Sequence, residues 1–235
     1  MEIHNYWDDI DSRLEELILN GYVKLPSLEG LKLDKLATNI NSEMSGGAFS
    51  ELGSSHNSFL RQLCIEENLT PKLYKIARNF LGYRGEMSNQ YHIARRIEAG
   101  NVREMFRAHF DSHLFTMVLP IKIPMLNNGA SVGDLIYFPN ARRSPRSEIG
   151  NFIGKISHKR FASKEGIENF AEKNKKLTDN FQDYKPLLFM GNTTLHTNKQ
   201  VSAECESYRL TLLAHFFDPS PKYGVGGLLR LLRNR

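Results

Sequence analysis

The chain has 235 residues, 40% hydrophobic and 24% charged, with a net charge of +5 and two cysteines. That length suits one domain with a sizeable core, and two cysteines are too few for a disulfide framework. No apolar run approaches membrane-spanning length, and the acidic start MEIHNYWDDIDSRLEE has no apolar signal core, so a cytoplasmic protein without a membrane partner is expected.

The first third reads as helical. Trp7, Ile10, Leu14, Leu17 and Ile18 recur at helical spacing, and Asn20-Gly21 supplies a stop. Tyr22, Val23 and Leu25 predict a short strand ended by Pro26, followed by a helix from about Leu28 to Asn41. Ser42 to Ser58, rich in Gly and Ser, reads as a loop. Pro71 opens a helix carrying Leu73, Ile76, Ala77 and Phe80, which Gly82 closes.

From about Glu86 the pattern turns to strands. They are predicted at Gln90 to Ile97, Phe106 to His109, Leu114 to Ile123, Asp134 to Phe138, Pro186 to Met190 and Tyr208 to Phe217. Helices first and short strands afterwards imply an α+β chain whose β part is a sandwich or jelly roll. The expected organisation is a single domain over 1–235. Residues 1–85 form its helical part, 86–218 a jelly-roll core with an insert at 142–179, and 219–235 a tail. The insert is basic: Ala141 to Asn180 holds ten Lys/Arg against five Asp/Glu, which is the whole charge surplus. A solvated helical face, expected around Glu165 to Leu177, explains such a run most simply. A mobile lid or docking element is the sharper reading.

Four polar residues in the second half carry the chemistry: His109 and Asp111 in AHFDSH, His196 in TTLH, and Arg209 in YRLT. On an extended segment His109 and Asp111 project from one face, and two imidazoles with one carboxylate can hold a ferrous ion with its opposite side open. His113 lies equally well spaced from Asp111, so it is an alternative ligand, or else a rim or substrate-facing group. Arg209 sits in the apolar strand LTLLAHFF, where an unpaired charge is costly, and Thr211 shares its face. A guanidinium there can take the far carboxylate of 2-oxoglutarate through paired hydrogen bonds, with the Thr211 hydroxyl beside it. An ordinary salt bridge to Glu204 or Glu206 is the competing explanation. His215 reads as a core or surface histidine, and Tyr91 and Arg95 as residues that could line a pocket. Arg142, Arg143 and Arg146 could receive an anionic group, although each is more often structural.

With these residues in view, the chain resembles the Fe(II)/2-oxoglutarate-dependent dioxygenases. That superfamily carries an HxD…H triad on a double-stranded β-helix, with an arginine ten or more residues past the second histidine. LILNGYVKLPSL looks like the opening of the phytanoyl-CoA dioxygenase-like branch, and the second half also resembles prolyl-4-hydroxylase-like members. The resemblance covers Gln90 to Asp218 well and includes GDLIYFPN after the HxD motif. It implies a cupin-like jelly roll with helices packed outside, with Fe(II) on His109, Asp111 and His196 as the catalytic centre. It further implies 2-oxoglutarate on Arg209 and Thr211, and O2 as co-reactant. A carboxylate at Asp111, where halogenating members have a small residue, implies hydroxylation or a related oxidation such as desaturation or ring formation.

Three readings compete. The first is a hydroxylase of a small molecule, one that could be anionic, with no nucleic-acid partner expected. The second is a hydroxylase of a peptidyl or nucleic-acid substrate docked by the basic insert. The third is a non-catalytic jelly-roll binding module with a vestigial triad. The sequence leaves the substrate and the oligomeric state open.

Overall fold

The computed structural model describes residues 6–44, 49–51, 54–102, 105–125, 130–144 and 163–219. Residues 145–162 of the basic insert, Arg146 among them, and the tail beyond 219 lie outside the described residues, so the lid reading stays an expectation.

Periodicity and its stops place the N-terminal helices. Helix α1 (Ile10–Asn20) buries Ile10, Leu14 and Leu17, and Gly21, at φ 81°, returns its N–H to the Leu17 carbonyl. That left-handed cap strongly favours glycine. Strand β1 (Tyr22–Lys24) follows, then α2 (Leu33–Glu43), β2 (Phe49–Glu51), α3 (Ser54–Gln62), α4 (Ile65–Asn68) and α5 (Thr70–Phe80). Pro71 does open α5. The helix predicted from Leu28 starts five residues later, because Leu25 and Leu28 donate backbone N–H bonds to Pro186 and Tyr184 instead. The Gly/Ser stretch is not a simple loop: it contains β2 and the start of α3.

Strands β3 (Gln90–Ile97), β4 (Phe115–Lys122), β5 (Leu135–Phe138), β6 (Leu177–Asp179), β7 (Leu187–Met190), β8 (Leu195–Asn198) and β9 (Arg209–Phe216) form two antiparallel sheets, with α6 (Lys164–Ala171) before β6. The larger runs β1-β7-β4-β9-β3-β2 and the smaller β6-β5-β8. Alternation sorts the side chains. One face of the large sheet, with Phe115, Met117, Leu119, Leu212, Ala214 and Phe216, packs against the helices through Leu14, Leu17 and Ile40. The other face, with Ile97, Val118, Leu187 and Phe189, meets Leu135 and Tyr137 of the small sheet. Beyond the small sheet, Phe110, Ile136, Phe138 and Leu195 pack on Ile167 of α6. The protein is thus a mixed helix and antiparallel-sheet fold whose two sheets share an apolar interior.

Two predicted elements of the second half also change. Phe106 to His109 is not a strand, since Phe106 has φ 50° and only His109 bridges, to His196. The helix expected to reach Leu177 ends at Ala171, and Leu177 begins β6 opposite Tyr137.

Candidate metal and 2-oxo-acid site

His109 lies in the segment between β3 and β4, and the paired backbone bonds His109 N to His196 O and His196 N to His109 O tie it to β8. The same turn brings in Asp111, whose N–H donates to Gly191 O at 3.1 Å. One ligand atom from each of His109, Asp111 and His196 lies within 4.8 Å of the others. His109 Nε2 is 3.6 Å from Asp111 Oδ1, and His196 Nε2 is 3.7 Å from Oδ2.

Backbone carbonyls orient both rings. His109 Nδ1–H donates to Arg107 O at 2.8 Å and His196 Nδ1–H to Thr194 O at 3.2 Å. Each Nε2 is thereby left as the lone-pair atom facing the carboxylate, which is the tautomer a metal ligand requires. Burial pushes the His196 imidazole down to about 4, against the opposing pull of Asp111, so it is neutral at physiological pH. Burial also acts to raise the Asp111 carboxyl, but His196, His109 and His215 outweigh it and hold the group well below its ordinary value. His109, although its side chain is half exposed, is pushed down by partial desolvation, yet its contact with Asp111 leaves it above the ordinary histidine value.

Arg209, the first residue of β9, is only 2% exposed, and its Nε and Nη1 have no hydrogen-bond partner among the described residues. Its guanidinium carbon lies 5.2 Å from the centre of the Phe181 ring. Burial, reinforced by Arg95, pulls it from the ordinary arginine range down to about 9, with Asp134 and Asp179 opposing. No salt bridge to Glu204 or Glu206 forms among the described residues. Room for the side chain comes from Gly133, where a Cβ would stand 3.2 Å from Arg209 Cδ. Thr211 shares this face and lies between Arg95 of β3 and Pro120 of β4 in the sheet. Arg95 links the two regions: its Nη1 donates to Asn198 Oδ1 at 2.5 Å, and its charge acts on both His109 and Arg209.

The structure brings His109, rather than His113, into the three-residue group. His113 instead stacks on Tyr91 and His215, with ring centres 6.3 and 5.1 Å away. His215, which sequence reasoning set aside, is buried with Nδ1 3.8 Å from Asp111 Oδ2. Its parity with Arg209 and Thr211 along one strand was the available signal. Thr116 and Asn198 were missed outright. Arg142 stands apart from the group: it covers the Phe110 ring at 4.0 Å and donates from Nε to Asn192 O.

No protein-family model matches the chain, and no curated protein matches it in sequence. Solved structures do match. The non-heme α-ketoglutarate-dependent carbocyclase SnoK of nogalamycin biosynthesis aligns with TM-score 0.58 and 12% identity, over 93% of this chain and 90% of that one. A prolyl hydroxylase from Trichoplax adhaerens, in complex with a hypoxia-inducible-factor peptide, aligns with TM-score 0.55 and 13% identity, over 92% of each chain. The epimerase SnoN, in complex with Fe3+, α-ketoglutarate and nogalamycin RO, aligns with TM-score 0.50 and 12% identity, over 94% and 89%. The chain shares their fold.

Proposed function

We propose that the protein is an Fe(II)- and 2-oxoglutarate-dependent oxygenase, a hydroxylase of a small molecule, built on a double-stranded β-helix. One observation carries this reading. One carboxylate and two imidazoles converge at one end of a sheet interior, and the same interior holds a buried arginine with two nitrogens unpartnered among the described residues. A buried guanidinium with two nitrogens lacking an acceptor among the described residues is an unfinished arrangement that a bound carboxylate would complete.

In this reading His109 and His196 hold the iron through Nε2, and Asp111 supplies the compensating negative charge. When bound, iron with 2-oxoglutarate and O2 supplies the oxidant for an unactivated C–H bond, with succinate and CO2 as coproducts. The chain's own residues position and exclude. Arg209 grips the far carboxylate through its planar fork, Thr211 adds a neutral hydroxyl, and Phe181, Val118 and Leu187 keep water from the interior.

A peptidyl substrate is the second reading, favoured by the His109 side chain being 54% exposed, which leaves that side of the group open to a bulky molecule. Aerobic incubation with Fe(II), 2-oxoglutarate and ascorbate tests the class, since without its true substrate an oxygenase still forms succinate and CO2 while ascorbate supplies the electrons that the substrate would have given. Absence of succinate with metal bound would leave the non-catalytic binding module. Competition of peptide pools against metabolite pools for stimulation of succinate formation then separates the two substrate readings.

A further inference from the structure

We infer that Thr116 and His215 fix Asp111 as a one-oxygen metal ligand, an inference that rests on the proposed iron site. The Thr116 hydroxyl donates to Asp111 Oδ2 at 2.5 Å. Having spent its single proton there, the Thr116 oxygen accepts from His215 Nδ1–H at 3.1 Å. The chain of donors runs from His215 through Thr116 to one carboxylate oxygen and does not engage Oδ1, which faces His109 Nε2 at 3.6 Å.

The fold builds this arrangement. Thr116 and His215 are direct partners across β4 and β9, so the sheet register sets their approach. Both are buried, at 1% and 8% exposure, where no water competes for the bonds. Gly191 closes the third side: a Cβ there would stand 2.6 Å from Thr116 Oγ1, 2.9 Å from His113 O and 3.1 Å from Asp111 Cβ. Only a residue without a side chain lets the end of β7 pass this close.

His215 is itself not a ligand. It comes as near to Asp111 as His109 and His196 do, yet it falls outside the group whose ligand atoms lie within 4.8 Å, and its Nδ1 is committed to Thr116. Its role is to position. A carboxylate bound through one oxygen occupies one coordination place, whereas a freed Oδ2 could swing in and take a second, one that the cosubstrate needs.

The test uses Co(II) on the metal-free full chain, read by calorimetry and by the ligand-field absorption of the bound ion. Thr116→Val keeps the shape and removes the hydroxyl, whereas Thr116→Ser keeps the hydroxyl. The Val variant should lose about 10- to 100-fold in Co(II) affinity and change the absorption bands. The Ser variant should stay within about threefold of wild type, with unchanged bands. His215→Asn, which retains an N–H donor, should fall between them, and His215→Phe should approach Thr116→Val. Wild-type affinity and bands in Thr116→Val, or equal losses in the Val and Ser variants, would overturn the inference and leave the iron site standing. A wild type that binds no Co(II) would overturn both.

Discussion

Arg209 offers the sharpest perturbation, because the metal-free, cosubstrate-free protein should be more stable without it. The guanidinium is charged at pH 7 in both folded and unfolded chains. A base whose folded pKa is depressed costs stability at every pH below the folded value. Here that cost is full below about 9 and fades as pH rises from there toward the ordinary arginine range. The difference corresponds to about 5 kcal/mol, of which the Phe181 ring at 5.2 Å returns about 1–2 kcal/mol. Roughly 3 kcal/mol of uncompensated burial remains for a bound carboxylate to relieve. Arg209→Met removes the charge and keeps an unbranched stem. Its apo form should therefore melt at least about 5 °C higher than wild type, at 2–4 °C per kcal/mol for a chain of this size. In wild type with Mn(II), 2-oxoglutarate at about 100 times its Kd adds about 2.7 kcal/mol, or about 5–10 °C. In Arg209→Met that increment should vanish, while the increment from Mn(II) alone persists. Differential scanning fluorimetry of the two proteins reads all four states. A variant that melts below wild type, or that keeps the 2-oxoglutarate increment, would refute the reasoning.

The remaining expectations concern the other end of the site. His109→Ala and His196→Ala should each abolish Mn(II) binding by calorimetry, while His113→Ala retains it, because His113 lies outside the group. Gly191→Ala should cost about 1–3 kcal/mol in denaturant unfolding, because its methyl collides with Thr116 and the backbone of His113. Metal affinity should fall as pH is lowered from about 8 to about 6. His109, held above the ordinary histidine value in the metal-free protein, there takes up the proton that competes with the metal. His196, at about 4, contributes nothing to that window.

Much of this was legible because hydrophobic periodicity is a local signal. The spacing of Ile10, Leu14 and Leu17, the Gly21 stop and Pro71 were sufficient for α1 and α5, and the apolar runs gave β3, β4, β7 and β9 within a residue or two. Strand β8 was not legible. Its residues LHTN look like a polar turn, yet all four are buried, because His196 and Asn198 serve the site interior rather than solvent. Strand β2 hid in a Gly/Ser stretch for a related reason: its extended form comes from pairing with β3, a partner some forty residues away. The HxD spacing, the distant histidine and the arginine in an apolar strand could all be read as chemistry. The support for Asp111 could not, because Thr116 and His215 meet only through the β4–β9 register. The structural reading of Arg142, favoured over an anion-binding one, agrees with its place over the Phe110 ring on the outer side of the small sheet.

The central claim is that one metal ion and one 2-oxo acid share the interior defined by His109, Asp111, His196 and Arg209. A crystal structure of the protein grown anaerobically with Mn(II) and 2-oxoglutarate tests it most directly. A single metal per chain should lie on His109 Nε2, Asp111 Oδ1 and His196 Nε2, with the far carboxylate of 2-oxoglutarate paired to the Arg209 guanidinium beside Thr211. Metal bound by His113 or His215 in place of His109, or an Arg209 still without an anion at saturating 2-oxoglutarate, would contradict it.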